Sequence, residues 1–295
     1  MTLAQLKNFL HDNIRREYRD WYGVGDGPWV QRAVENYFDD EHNYDRRWHV
    51  IPARRPQVGR ILDVAAGCGT FLLHGLNRGY DVSGIEPETW KQRYYRLKIE
   101  LSGYNPSFAG RMIAAMGEKL PFADASFDLV TTFQTLEHVV DVEQCVDEML
   151  RVLRPGGVLY LRAPDYHCLF EPHYRLPFLP KMNRALAHRY LRYLGRPVTG
   201  LQGLKWTTER DLLAMLRRHP SRPVVERNKY FFIERRRQEV EARLPHSLQR
   251  TGLARLLNEM HQLKRKINAW IHVARQERAI DLWITKPSQA YVQAA

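Results

Sequence analysis

Short apolar runs alternate with amphipathic stretches through the middle of the chain. Continuous apolar runs of about four to eight residues predict buried strands, and they occur at Ile61–Val64, 80–85, 107–114, Phe127–Phe133 and 158–162. Between them, apolar residues recur at helical spacing in residues 71–76, 90–101 and 142–153. Strands that alternate with helices favour a parallel sheet. The pattern therefore predicts an α/β protein with a Rossmann-like, doubly wound and mostly parallel sheet.

Helical patterns surround this core. Residues 1–18 form an amphipathic helix pattern, and residues 30–50 predict a further helix that Pro52 and Pro56 would end. After Pro164 the alternation stops, and it resumes with a helix that Thr208 would cap. Further strands are expected at 224–233 and Ala279–Thr285. The predicted organisation is a helical cap (1–58), a Rossmann-like core (59–164), an insertion (165–206), a C-terminal part of the core with a helical insertion at 235–275 (207–287) and a tail (288–295).

The positive charge is concentrated in one part of the chain. Between Arg175 and Arg237 there are 16 Lys or Arg residues and 4 acidic residues, an excess equal to the net charge of +12 of the whole chain. A positive field this localised favours an anionic partner such as nucleic acid, an acidic glycan or lipid headgroups. A solvated basic face without a partner is the alternative interpretation.

Composition bears on the cellular location. No run of 18 apolar residues predicts a transmembrane helix, and the amphipathic start of the chain differs from the uninterrupted apolar stretch of a signal peptide. Cys68, Cys145 and Cys168 form no close pair, which argues against a disulfide framework or a cysteine-based zinc site. We therefore expect a cytoplasmic protein. Peripheral contact with the inner face of the membrane would follow if the basic segment binds lipid headgroups.

A glycine-containing turn joins the first predicted strand to the next helix. Gly67 and Gly69 occupy this turn, where a doubly wound sheet binds a nucleotide-like ligand. Glu86 ends the second predicted strand, where a carboxylate can accept hydrogen bonds from ribose hydroxyls. The dinucleotide fingerprint needs a third glycine, but Leu72 stands in its place. Asp63 also disfavours a pyrophosphate and suits a cofactor that carries a cationic amino group.

Four motifs follow one another across residues 58–164. They are the strand and turn at 61–70, the segment at 120–130 (Leu-Pro-Phe-Ala-Asp-Ala-Ser-Phe-Asp-Leu-Val), Leu136-Glu137-His138-Val139, and Arg151-Val152-Leu153-Arg154-Pro155-Gly156-Gly157. Together they resemble the motifs of class I S-adenosylmethionine-dependent methyltransferases of the methyltransferase-11 and ubiquinone-biosynthesis type. The resemblance implies an enzyme that binds S-adenosyl-L-methionine and releases S-adenosyl-L-homocysteine.

The resemblance also implies which residues hold this cofactor. The glycine-containing turn would surround the methionine end, the end of the second strand would hold the ribose, and the end of the fourth would lie beside the methyl group. Ala65 replaces a common glycine, and Met116 stands where an acid often binds the adenine amino group, although methionine can pack on the ring. The implied cofactor-binding residues are Asp63, Ala65, Gly67, Gly69, Glu86, Pro87, Met116, Gly117, Phe133 and Gln134.

Transfer to a hydroxyl requires removal of the acceptor proton, and histidine is the side chain best matched to neutral pH. For His138, packing or helix capping is an equally weighted alternative to a catalytic role. In small-RNA and quinone-pathway O-methyltransferases a similar Glu-x-x-Glu-His binds a divalent metal, but Gln134 replaces the first glutamate here, so we expect no metal. The candidate catalytic residues above the fourth and fifth strands are His138, Asp165, His167 and His173.

Residues 171–180 combine an acid, a histidine and an arginine with aromatic residues and three prolines. The string resembles the insertion of bacterial methyltransferases that modify surface polysaccharides or lipid-linked sugars, and a rigid lid is the alternative interpretation. No Asp/Asn-Pro-Pro-aromatic segment follows the fourth predicted strand, which disfavours methylation of nucleic-acid bases. We therefore predict O-methylation of a hydroxyl on an acidic glycan, a lipid-linked sugar or another anionic small substrate, in polysaccharide biosynthesis.

Two other functions fit the same features. An RNA methyltransferase could use the basic 175–237 segment on phosphates, although its aromatic residues form no known RNA-binding module. A non-catalytic cofactor-binding scaffold could use that segment to dock a protein partner or a membrane. Salt-dependent RNA binding distinguishes the first alternative, and cofactor turnover distinguishes the second.

Overall fold

The computed structural model describes residues 1–25, 27–42, 46–180, 182–228 and 279–288. Its main feature is a seven-stranded sheet with the strand order β3-β2-β1-β4-β5-β9-β8. Strands β1 to β5 pair in parallel, whereas β9 is antiparallel to both β5 and β8. The strands, numbered along the chain, are β1 (Ile61–Val64), β2 (Val82–Ile85), β3 (Met112–Ile113), β4 (Phe127–Phe133), β5 (Leu153–Pro164), β6 (Phe170–Glu171), β7 (Leu176–Pro177), β8 (Val224–Arg227) and β9 (Ala279–Thr285).

Helices cover the sheet and extend beyond it. Several begin at side-chain caps: Thr2 and Gln5 form a capping box on the first helix, and Thr208 and Asp211 form one on the ninth. Gly23, at φ +67°, ends the first helix in the left-handed conformation that glycine adopts without strain. The helices are α1 (Leu3–Tyr22), α2 (Pro28–Phe38), α3 (Arg47–Arg54), α4 (Thr70–Leu76), α5 (Thr89–Ser102), α6 (Val142–Val152), α7 (Arg184–Tyr193), α8 (Thr199–Gly203) and α9 (Glu209–Arg218).

Apolar residues are buried on both faces of the sheet. One cluster packs α6 and α9 on the sheet through residues such as Met149 and Leu212, and the other packs α3 and α4 through Trp48 and Phe71. The rings of Trp48 and Phe71 stack with centroids 4.5 Å apart. Burial on both faces explains why the parallel strands read as continuous apolar runs rather than alternating ones.

The N-terminal helices lie against the glycine-containing turn and the insertion. Leu6 and Leu10 of α1 share a buried cluster with Cys68 in the turn and Tyr94 of α5. Farther along, Tyr22 joins a second cluster formed mainly by residues of the 165–206 insertion. The N-terminal helices and the insertion therefore meet at the edge of the sheet where β1, β2, β4 and β5 have their carboxyl ends.

Two predicted elements were wrong. The helix expected over 30–50 is divided, because α2 ends at Phe38 and α3 begins only at Arg47, and Pro52 lies inside α3 instead of ending it. The strand expected over 107–114 is mostly a 3₁₀ turn at Pro106–Arg111, so that β3 keeps two residues. Asn105 caps that turn by accepting a hydrogen bond from the Ser107 amide, a local bond that competes with strand pairing.

Several expectations concern residues outside the described ranges. The predicted strand at 224–233 is observed as β8 up to Arg227, and its last residues lie beyond Asn228, where the described range ends. The predicted helical insertion at 235–275 and residues 289–295 of the predicted tail also lie outside the described residues. In the part of the chain that the structure describes, no helix has the length and apolarity needed to cross a membrane.

Candidate active site

The turn after β1 is tight and open on one side. Ala65, Gly67 and Gly69 all have left-handed φ angles, at +61°, +57° and +80°. A side chain at Gly69 would place its Cβ 2.2 Å from the Tyr95 ring, so only glycine fits there. A Cβ at Gly67 would meet no atom within 4 Å. The turn therefore presents bare backbone to an open space at the carboxyl edge of the sheet.

Glu86 fixes this turn from the end of β2. Its carboxylate is buried, with Oε2 accepting from the Gly67 amide at 2.8 Å and Oε1 from the Glu88 amide at 2.9 Å. Burial raises the pKa of Glu86 above its ordinary value. A carboxylate offers about four acceptor positions, so two backbone bonds leave capacity for two ligand hydroxyls. The predicted ribose contact at Glu86 is compatible with this geometry.

Asp63 makes a contact that the sequence did not predict. It is fully buried at the carboxyl end of β1 and pairs with Arg47, which α3 brings over the strand. The Arg47 guanidinium also lies 4.0 Å from the Phe71 ring centroid and 5.6 Å from that of Phe133. The cation that Asp63 meets in this structure is therefore a protein side chain rather than a ligand amino group. Sequence reasoning missed Arg47 because the contact depends on how α3 folds back.

The other predicted cofactor residues border the same edge. Phe133 ends β4, and Gln134 follows in a left-handed conformation with its amide bonded to the Arg162 carbonyl at 2.8 Å. Met116 is 46% exposed. A Cβ at Gly117 would come 2.7 Å from the Cys145 sulfur, which explains a small residue there.

Two of the four candidate catalytic residues come together. Strands β6 and β7 form a hairpin whose turn carries His173, and this hairpin folds over the loop that carries His138. The two imidazole rings meet edge to face with centroids 5.0 Å apart, although 34 residues separate them along the chain. The ring of Tyr22, at the end of α1, also packs on His173, with the two ring centroids 5.2 Å apart.

A buried glutamate holds His173 in place. Glu171 Oε1 lies 2.7 Å from His173 Nδ1 and accepts from the Tyr166 hydroxyl at 3.2 Å. Glu171 Oε2 accepts from the Tyr174 amide at 2.6 Å. Burial alone would lower the pKa of His173, but the hydrogen bond and charge of Glu171 outweigh it and raise the pKa. The pair therefore fixes one ring nitrogen of His173 and leaves Nε2 for another contact.

Glu137 is a third potential ligand or proton acceptor beside His138 and His173. The residue is 2% exposed, and neither carboxylate oxygen has a hydrogen-bond partner on another described residue. Burial raises the pKa of Glu137 to about 7, against the opposing effect of His173. His138 keeps an exposed surface, but burial of the rest of its ring and the proximity of His173 lower its pKa. His138 is therefore a neutral imidazole near neutral pH.

The other two candidates form a local turn. Asp165 Oδ1 accepts from the His167 amide at 3.0 Å, and the His167 side chain is exposed. Among the described contacts, none connects Asp165 or His167 to the pair of histidines. Sequence reasoning named His138 and His173 but missed Glu137 and Glu171. The Glu-Pro-His spacing at 171–173 was the available signal, because a residue two positions from a histidine in a turn can reach its ring.

Helix α7 carries three arginines of the basic segment, and one of them, Arg184, anchors the insertion through hydrogen bonds. Arg184 donates to the carbonyls of Leu201 at 2.7 Å and Leu204 at 2.5 Å, so it anchors the insertion. Arg189 and Arg192 are also exposed on α7. Large apolar side chains accompany these two arginines on the same short helix, with Leu186 49% and Tyr193 89% exposed.

Comparisons with known proteins agree on one family. Residues 62–161 match the model of a methyltransferase domain. An uncharacterized methyltransferase of Mycobacterium tuberculosis (strain H37Ra) is 33% identical over 183 residues, which are 56% of this chain and 68% of the relative. The ubiquinone/menaquinone biosynthesis C-methyltransferase UbiE of Geotalea daltonii is 38% identical over 46% of this chain and 60% of its own length.

A further relative in sequence and a solved structure are also similar to this chain. A methyltransferase of Mycobacterium sp. (strain KMS) is 34% identical over 114 residues, so the match spans only 42% of that relative's length. Among solved structures, phosphoethanolamine N-methyltransferase 2 of Haemonchus contortus, in complex with S-adenosyl-L-methionine, is similar with a TM-score of 0.52. It is 14% identical, and the match covers 93% of this chain and 60% of that one. At this identity the likeness concerns the fold alone.

Proposed function

The chain belongs to the class I S-adenosylmethionine-dependent methyltransferases, and from this we propose that it transfers a methyl group to a hydroxyl of an anionic acceptor. Acidic glycans and lipid-linked sugars are the acceptor classes we favour. The observation that carries the proposal is the cluster of Glu137, His138, Glu171 and His173, which lies at the carboxyl edge beyond β4. The proposal also depends on how the cofactor is held, how the hydroxyl proton leaves and which charge the acceptor carries.

The residues at the turn after β1 fit the family cofactor. Open space above Gly67 accommodates a ligand against the backbone, and Glu86 has acceptor capacity for two ribose hydroxyls. S-adenosyl-L-methionine, when bound, supplies a methyl group on a cationic sulfur. Phe133 ends β4 and Gln134 follows it, at the same carboxyl edge as this turn because β4 is parallel to β1. The chain therefore has the means to position both reactants along one edge.

The cluster has the chemistry to activate a hydroxyl. As the acceptor oxygen forms its bond to the methyl carbon, the carbon–sulfur bond breaks and sulfur keeps that electron pair. The hydroxyl proton has to leave, and an imidazole hydrogen-bonded to a buried carboxylate is suited to take it. His173 has this arrangement through Glu171, while the neutral His138 beside it can orient the hydroxyl. The two histidines thus have different roles in the proposal.

Surface charge supports an anionic acceptor or an anionic surface. Arg189 and Arg192 project from α7, whose exposed apolar residues include Leu186 and Tyr193. Cations interleaved with exposed apolar side chains are typical of helices that contact lipid headgroups. The helix belongs to the insertion that also carries His173, outside residues 62–161 that match the family model. We therefore place acceptor specificity, and peripheral contact with a membrane, in the insertion.

The test is methyl transfer from labelled S-adenosyl-L-methionine to a panel of acidic glycans, lipid-linked sugars and RNA. We expect label in an ether linkage on an anionic sugar, and titration calorimetry to show S-adenosyl-L-homocysteine binding without NAD binding. Label in RNA that falls steeply with salt would replace the proposal by an RNA methyltransferase. Cofactor binding without turnover of any acceptor in the panel, or of a crude acceptor extract, would favour the non-catalytic scaffold.

A further inference from the structure

The residues beyond β4 converge around a common point. One potential ligand atom from each of Glu137, His138 and His173 lies within 4.8 Å of the other two. An ion with ligand distances of about 2.1 Å in tetrahedral geometry places its ligand atoms about 3.4 Å apart. Small side-chain rotations would therefore bring all three atoms to one ion. We propose that Glu137, His138 and His173 bind a divalent transition-metal ion.

Glu137 is the strongest single indication. Both of its carboxylate oxygens are buried without a hydrogen-bond partner on another described residue. Burial of an isolated carboxylate is unfavourable, and proteins retain such groups where they are paired or coordinate a metal. The groups that act on Glu137 include the imidazoles of His138 and His173, which can be neutral ligands, and Glu171 and Tyr166, so none of these groups offers a fixed positive charge. A divalent cation would satisfy the carboxylate.

The surroundings of His173 follow the pattern of a metal-bound histidine. Such histidines almost always donate their second ring N–H to a carboxylate or carbonyl, which fixes the ring and its tautomer. Glu171 takes this position at Nδ1, and it is held in turn by the Tyr166 hydroxyl and the Tyr174 amide. Nε2 of the same ring is then the nitrogen left to bind an ion. Glu171 is accordingly a positioning residue and not a ligand.

The donor set selects the class of ion. Two imidazole nitrogens and one carboxylate oxygen suit ions such as Zn²⁺, Co²⁺ and Fe²⁺, whereas Mg²⁺ prefers oxygen ligands. Three protein ligands are the usual number for a catalytic zinc site, which keeps a fourth position open. Because His138 is exposed, the open position of an ion bound there would be accessible from solvent. The absence of a carboxylate at Gln134 no longer argues against a metal, because the insertion supplies His173 as the third ligand.

The ion would change how the acceptor is activated. An ion there would lower the pKa of a hydroxyl bound at the open position, so that the proton could leave to solvent while the oxygen forms its bond to the methyl carbon and the carbon–sulfur bond breaks. The histidines would then act as ligands instead of removing the proton. This catalytic role rests on the proposed function, but binding of the ion does not. The two can therefore be tested separately.

Binding is tested with chelator-treated full-length protein. We expect calorimetry to show one Zn²⁺ bound per chain, Co²⁺ to give the visible absorption of a tetrahedral site, and excess Mg²⁺ not to compete. Glu171→Gln should weaken Zn²⁺ binding by about 10- to 100-fold, and Glu137→Gln, His138→Ala and His173→Ala should weaken it at least as much. The control His11→Ala removes an exposed histidine of α1 and should bind Zn²⁺ like the wild type.

Binding of S-adenosyl-L-homocysteine is measured on every variant to show that the fold is retained. Absence of saturable Zn²⁺ binding in the wild type would overturn the site, as would unchanged affinity in both histidine variants with the cofactor product still bound. Methyl transfer by a protein that binds no metal would refute the metal site and leave the proposed function standing. Zn²⁺ binding without methyl transfer to any acceptor would do the reverse.

Discussion

The proposed cofactor site and the proposed acceptor site at this edge differ in how they are formed. On the cofactor side, a turn of consecutive residues presents backbone, and one carboxylate, Glu86, bonds two amides near it. On the acceptor side, side chains from three distant segments meet: the loop after β4, the β6–β7 hairpin and the end of α1. The residues of the cofactor turn are neighbours in sequence. The acceptor site, by contrast, forms only because the insertion packs against the core.

This difference explains how one domain can keep its cofactor and change its substrate. Backbone contacts tolerate many side chains, so the turn is recognisable among relatives whose matched regions cover about half of this chain or less. Side chains on a hairpin can be exchanged without disturbing β1 or β2. Residues 62–161 match the family model, whereas Glu171 and His173 lie beyond that range. The comparison predicts that mutations on the two sides affect different measurements.

The largest expected effect is on the acceptor side. His173→Ala should lower turnover by about 10²–10⁴-fold, whether the ring removes the proton or binds an ion. Affinity for S-adenosyl-L-homocysteine should stay unchanged, because the described contacts of His173 do not include the cofactor turn. Turnover under saturating conditions and calorimetry measure the two quantities. His167→Ala is the comparison variant and should keep its turnover. A comparable loss of turnover in this variant would indicate that the turn after β5 also belongs to the acceptor site.

On the cofactor side, Glu86→Ala should weaken binding of S-adenosyl-L-homocysteine by about 1.5–3 kcal/mol, or roughly 10- to 150-fold. Only the ionised carboxylate can accept from both ribose hydroxyls. Because burial raises the pKa of Glu86, affinity should be full above that raised pKa and decline as the pH falls through it. Calorimetry across a pH series checks both points, with Glu86→Gln as the matched variant. Unaltered affinity in both variants would remove Glu86 from the cofactor site.

A smaller effect is expected on the surface of the insertion. The double variant Arg189→Glu/Arg192→Glu should raise the acceptor KM by several-fold, since a cation near an anionic surface contributes about 1 kcal/mol. The effect should shrink at high salt because the charges are exposed. Arg184 is left out because its side chain bonds two backbone carbonyls. Reversal of Arg217 and Arg218 on α9 is the control, and an equal rise in KM there would show that only net charge matters.

The smallest expected effect tests strain in the cofactor turn. Ala65 has a φ of +61°, which is unfavourable for any residue with a Cβ. Ala65→Gly should relieve this and raise the free energy of unfolding by about 0.5–1 kcal/mol, because the gain exceeds the added entropy of the unfolded chain. Ala66→Gly, at the adjacent buried position, should instead destabilise the protein. Denaturant unfolding measures both, and equal effects would contradict the strain.

The sequence by itself determined the elements whose causes are local. Strands β1, β4 and β9 begin and end at the predicted residues, because apolar runs bounded by turn residues need no distant partner to be recognised. The α/β fold and the methyltransferase family also followed from contiguous motifs, and the comparisons confirm both. The strand predicted at 107–114 failed for a local reason as well, since the cap at Asn105 competes with pairing.

Tertiary structure alone decided which side chains meet. Arg47 pairs with Asp63 because α3 crosses the end of β1, and His173 reaches His138, 35 positions earlier in the chain, because a hairpin folds over the loop after β4. Burial in the folded protein removes water from Glu137 and raises the pKa of its carboxyl group. The fold also brings Glu171 within hydrogen-bond distance of Nδ1 of His173. No hydrophobic period or sequence motif predicts these effects, because each depends on the distance in space between residues that are far apart in sequence.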